Sequence, residues 1–174
     1  MKKIVVFVAG FLLISSFTVT NRVEKLIQKE IKSVFSIETY TKETISVSKE
    51  INETLPIKIS EENFFKIVSN KELKGYYFIS KGFGKTDYFD FIVIFNKDLI
   101  VTKIKVLVYR EDHGGEIGSR RWLKQFIGLK TDKKINYQDD ITAISGATLS
   151  AKSITNQVNK ILKTVHILHQ QKQL

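Results

Sequence analysis

Near the end of the chain, Ile144, Ser145, Gly146, Ala147, Thr148, Leu149 and Ser150 place small residues and hydroxyls directly before a long stretch of helical periodicity. The first backbone N–H groups of a helix have no intrahelical partner and carry partial positive charge, so a helix starting here favours a phosphate or another anion. Gly146 allows backbone to approach such a ligand closely. A plainer role stays open at this point: Ser145, Thr148 or Ser150 could simply cap the helix. A second stretch, from Tyr109 to Trp122, gathers charged side chains, His113, Gly114, Gly115, Gly118 and the chain's single Trp. Loops that follow strands often carry function, although this one also reads as a solvated turn whose Trp anchors a helix.

Ser145-Gly146-Ala147-Thr148, followed by Leu149 and Ser150, resembles the Ser/Thr-Gly-Ala-Thr signature of the FMN-binding domain family, whose covalently flavinylated members serve the sodium-translocating NADH:quinone reductase and the Rnf electron-transport complex. A Gly-x-Gly element at Gly82 and Gly84, strands before the signature and a long helix after it agree with that context. The resemblance covers roughly Tyr76 to Lys163. It implies an FMN cofactor carried through a phosphoester on the Thr148 hydroxyl, with Ser145, Gly146, Ala147, Leu149 and Ser150 around it. It further implies that Gly114, Gly115, Glu116, Arg120, Arg121 and Trp122 contribute to the flavin site. There the glycines would admit the isoalloxazine, an Arg would face the phosphate or the ring edge, and Trp122 or Tyr109 would pack beside the ring. A flavin transferase is the implied partner for attachment, and a membrane-bound donor or acceptor the implied redox partner, with no separate catalytic acid or base. One departure stands out. The family usually has an Asp three residues before the signature, associated with recognition by the transferase, and this chain has Thr142, with Asp139 and Asp140 out of register.

Other signals are weak. Gly84-Lys85-Thr86 copies the end of a nucleotide-binding P-loop, but Ile79 stands where its first Gly belongs. His166 and His169 are three apart without a carboxylate close by on the same helix, which reads as a solvated helix end and not as a metal site. The chain has no Cys, which excludes disulfides, iron–sulfur clusters, thiolate zinc sites and a catalytic thiol.

The elements that must position these residues form an α+β pattern: an antiparallel sheet with a long C-terminal helix, preceded by an N-terminal signal or anchor segment. Tyr76 to Ile79, Tyr88 to Phe95 and Leu99 to Tyr109 read as strands, with Asn96-Lys97-Asp98 as a hairpin turn. Alternation of Ile104, Val106 and Val108 with Lys103 and Lys105 predicts a sheet face partly in solvent. Arg120 to Phe126 reads as a short helix. Ala151, Ile154, Val158, Ile161, Leu162, Val165 and Leu168 form the apolar stripe of the last one. Before the sheet, Val23 to Phe35 has the spacing of an amphipathic helix, and Ser60 to Val68 reads as a capped short helix ending near Asn70. The organisation expected is a signal or anchor over 1–20, a helical and extended region over 21–70 packing on the core, and the FMN-binding domain over 71–174.

Lys2 and Lys3 precede an apolar run from Ile4, which has the shape of a secretory signal peptide or a short anchor over residues 4–19. At roughly 11 to 16 residues it is short for a span, which needs about 20. The expected location is therefore exported: periplasmic or cell-envelope, at the inner membrane if the segment is retained. In that setting the net charge of +10 suits an anionic membrane surface, and the dispersed lysines match no nucleic-acid module. The competing reading is an exported, non-redox module of the envelope in which the Ser-Gly-Ala-Thr turn only caps a helix.

Overall fold

Residues 22–174 are described by the computed structural model, so the expected signal or anchor segment lies outside the described residues. In chain order the elements are a helix through residues 22–35 (α1), β1 (Thr41–Thr44), α2 (Lys49–Thr54), β2 (Phe64–Ser69), β3 (Glu72–Phe83), β4 (Tyr88–Asn96), β5 (Val101–Val108), a 3-10 turn (Gly115–Gly118), α3 (Arg120–Leu123), a second 3-10 turn (Lys124–Phe126) and α4 (Thr148–Gln170). The five strands pair antiparallel in the order β1-β2-β3-β4-β5, a meander, and with the long C-terminal helix they make an α+β fold.

Strand β4 shows why the fold has layers on both sides of the sheet. Successive side chains point to opposite faces, and here both faces are apolar: Phe89, Phe91, Val93 and Phe95 join one core while Ile92 and Ile94 join another. The first face is covered by α4, whose entire predicted stripe from Ala151 to Leu168 is buried without residual exposure. The second face is covered by α1 through Ile27 and Ile31, which pack with Phe65, Ile67 and Tyr77. The alternation in β5 predicts solvent on the face bearing Lys103 and Lys105; α1 instead lies over much of it, and Lys103 reaches Glu30 of that helix at 3.2 Å. Close approach is helped at Gly75, where a Cβ would run into the Phe95 carbonyl and the Phe35 ring.

The helix expected over Ser60 to Val68 is a strand, β2. Phe64 faces the α4 side and Phe65 and Ile67 the α1 side, so the apparent helical spacing belongs to a strand buried on both faces. Asn70 and Lys71, both with positive φ (54° and 64°), close a two-residue hairpin into β3 and exclude helix continuation. The other hairpin and the short helix lie where the sequence places them, the latter split into α3 and a 3-10 turn. Residues 41–70 are continuous with the rest, supplying two strands of the sheet and Ile45, Leu55 and Ile59 to the core under α4.

Candidate functional site

Antiparallel pairing brings three segments to one end of the sheet. The β3–β4 turn follows Phe83, which pairs with Tyr88; β5 ends at Val108, opposite Asp90; and α4 begins at Thr148. Between them lies a cleft of about 370 Å³, walled by Lys85 and Thr86 from the turn, Tyr109 and Glu111 to His113 after β5, and Gly146 to Ser150. That volume lies in the range of small-molecule sites, about 300–1,000 Å³.

The α4 wall is the part most suited to an anion. Ala147 is the N-cap and no side chain accepts a hydrogen bond from the first turn, so Ser145, Thr148 and Ser150 do not act as the side-chain cap that the sequence also allows. The first-turn amides therefore remain open to a ligand. Thr148 is the first residue of the helix and is exposed beside Leu149, itself 56% exposed. Ser150 is buried instead, its Oγ 3.2 Å from the Tyr109 hydroxyl, which donates to the His113 carbonyl at 2.9 Å. Gly146 adopts a left-handed φ of 77° with open space where a Cβ would be. Gly114, at φ 81°, has none: a Cβ there would lie 2.8 Å from Ala147 Cβ and 3.2 Å from the Gly146 carbonyl. The loop after β5 thus braces the Ser-Gly-Ala-Thr turn through a position that only glycine fills.

The opposite wall is held by Glu111. Its Oε1 accepts from the Thr86 N–H at 2.7 Å and the Asp87 N–H at 3.1 Å, and its Oε2 accepts from the Thr86 hydroxyl at 3.0 Å. Hydrogen bonds from the Thr86 N–H, then the Asp87 N–H, hold the Glu111 carboxyl below the usual carboxylate range. Both glycines of the Gly-x-Gly element make room, Gly82 for the Phe89 ring and Gly84 for the Glu111 carboxylate. On the far side of the turn, the Phe83 N–H donates to Ser153 Oγ of α4 at 2.8 Å, so the hairpin is tied to both other walls.

Of the residues singled out from the sequence, Gly146, Ala147, Thr148, Leu149 and Ser150 line this cleft and Gly114 packs behind it, while Ser145 is exposed just before it. Gly115 and Glu116 are exposed on the 3-10 turn, whose Ile117 is buried. Trp122 is buried against Phe126, ring centroids 5.3 Å apart, and its Nε1–H donates to the Thr142 carbonyl at 2.7 Å. Gln125 Oε1 accepts from the Thr142 N–H at 2.9 Å, so residue 142 is clamped from both sides of its backbone. Arg120 and Arg121 line a different cavity, beside α1. Lys85 and Thr86 stand out in the sequence only as the end of an incomplete P-loop, and Glu111 only within the charged stretch after β5; the strand register is the signal that identifies them as walls of one cleft. Among the described residues, no group of three or more His, Asp and Glu side chains is placed to hold a metal ion, and no helix is long and apolar enough to cross a membrane.

No curated protein matches the chain. Residues 82–163 match the family model of the FMN-binding domain, a span that contains every residue lining the cleft. An uncapped helix start and an open Gly146 suit an FMN phosphate, with Lys85 on the facing wall, so the residues present fit the group. Residues 82–163 are thus similar to an FMN-binding domain, and FMN is the cofactor that this match indicates.

Proposed function

We propose that the protein is an extracytoplasmic electron carrier whose FMN is attached by a phosphoester to Thr148. The observation that carries this reading is the position of Thr148: an exposed hydroxyl on the first residue of α4, next to first-turn amides that no side chain caps, within the cleft. Attachment needs no redox change. In transfer from FAD, the Thr148 oxygen forms the new P–O bond, the bond to AMP breaks, and the hydroxyl proton leaves to solvent. FAD is the FMN donor, and the flavin transferase supplies the catalysis.

When bound, FMN supplies the electron chemistry, and the chain supplies placement and charge. The helix N-terminus would hold the phosphate, and Lys85 on the facing wall would add positive charge to the cleft. Glu111 fixes the β3–β4 turn, and Gly114 fixes the Ser-Gly-Ala-Thr turn opposite it. The exposed Leu149 and the cleft's opening to solvent suit exchange with a partner at the surface. Lys2, Lys3 and the apolar run that follows support export and a place at the membrane surface, where a membrane-bound donor or acceptor would meet this site. The test is co-expression with a flavin transferase. Wild type should give a band that stays fluorescent after denaturing electrophoresis, and Thr148→Val should give none.

A further inference from the structure

A second and larger cavity, about 930 Å³, lies between the end of α1, β5 and α3 and shares no lining residue with the Thr148 cleft. Ser33, Val34 and Phe35 contribute one side, outside the span matched by the FMN-binding domain, so this cavity is not part of the shared domain alone. We infer that it is a binding site for a small molecule with an apolar body and an anionic group such as a carboxylate, sulfonate or phosphate.

Shape and chemistry agree on that class. Val34, Phe35, Ile104, Leu123 and Ile127 give the cavity apolar walls, and its volume is that of a small-molecule site. The charged lining is of one sign: Lys103, Lys105, Arg120, Arg121 and Lys124. Glu30 pairs with Lys103 at 3.2 Å; among the described residues the other four have no carboxylate within ion-pair distance. Four cations around an apolar hollow repel one another, and an anion placed among them relieves that repulsion while its body fills the hollow. Arginine side chains offer paired N–H donors suited to a planar carboxylate or a phosphate. The 3-10 turn Gly115–Gly118 joins the two sites, since Gly118 lines this cavity and the preceding Gly114 packs against Ala147 at the other.

The experiment compares two fluorescent probes with the same aromatic body, anilinonaphthalene sulfonate and neutral phenylnaphthylamine, titrated into the full chain in neutral phosphatidylcholine nanodiscs, with empty nanodiscs subtracted. The expected result is one saturable site, about tenfold tighter for the sulfonate, as charge-assisted hydrogen bonds allow. The double variant Arg120→Ala/Arg121→Ala should lose about tenfold in sulfonate affinity while binding the neutral probe as wild type does. That unchanged neutral binding also shows that the variant is folded. Lys85→Ala, at the other cleft, should leave sulfonate binding unchanged. Equal affinity for the two probes, no saturable site, or an equal loss in Lys85→Ala would each overturn the inference.

Discussion

The two faces of the sheet are covered by helices with different consequences. Under α4, an unbroken stripe from Ala151 to Leu168 is fully buried against aromatic strand residues. Under α1, Ile31 is fully buried and Ile27 nearly so, while Val23, Val34 and Phe35 are only half-covered. Deep packing along α4 fixes where its first turn points, so Thr148 and the open amides can be presented to a ligand without moving. Thin packing at the end of α1 leaves a cavity instead. The family span, 82–163, holds the deeply packed site, whereas α1 lies outside it.

Truncation should expose that difference most strongly. Ile154 of the α4 stripe is fully buried, and Ile154→Ala should fall at the upper end of about 2–5 kcal/mol in denaturant unfolding. Ile31→Ala on the α1 side should fall at the lower end of about 2–5 kcal/mol and leave FMN attachment intact. Equal losses on the two faces would erase the contrast.

Within the cleft, the two left-handed glycines should behave differently. Gly114→Ala combines an unfavourable φ with contact against Ala147 and should cost about 1–3 kcal/mol while impairing FMN loading. Gly146→Ala meets open space and should cost only about 1–2 kcal/mol, from φ alone. Thermal unfolding together with flavin content separates them. Trp122→Phe keeps most of the ring packing but removes the bond to the Thr142 carbonyl, for about 1 kcal/mol, with faster amide exchange at Thr142.

The smallest effect should be a pH dependence of the Glu111 latch. Its folded pKa is below the ordinary value of 4.5, so its contribution is fully present above that value and is lost as pH falls below it, through the folded pKa. Amide exchange at Thr86 and Asp87, corrected for intrinsic rates, should rise at acid pH in wild type. In Glu111→Gln it should be high and free of that titration.

Much of this arrangement is legible in the residues. The α4 stripe follows from spacing, the β4–β5 hairpin from Asn96-Lys97-Asp98 between two β-branched and aromatic runs, and FMN from Ser145-Gly146-Ala147-Thr148. What stays hidden depends on partners distant in sequence. Ser60-Glu61-Glu62 imitates a helix start, and only burial on both faces reveals Phe64 to Ser69 as a strand. Thr86 and Glu111 meet because antiparallel register puts a turn beside a strand end. Arg120 and Arg121 face away from the cleft because Trp122 and Leu123 take the buried side of a one-turn helix, a choice that tertiary packing makes.

The central claim, FMN carried on Thr148 at the start of the firmly packed helix, is tested most directly by intact mass. The chain is co-expressed with a flavin transferase and compared with Thr148→Val. Wild type should gain the mass of one FMN less one water, and the variant should gain nothing. An unmodified wild type, or an addition that survives in Thr148→Val, would contradict the account.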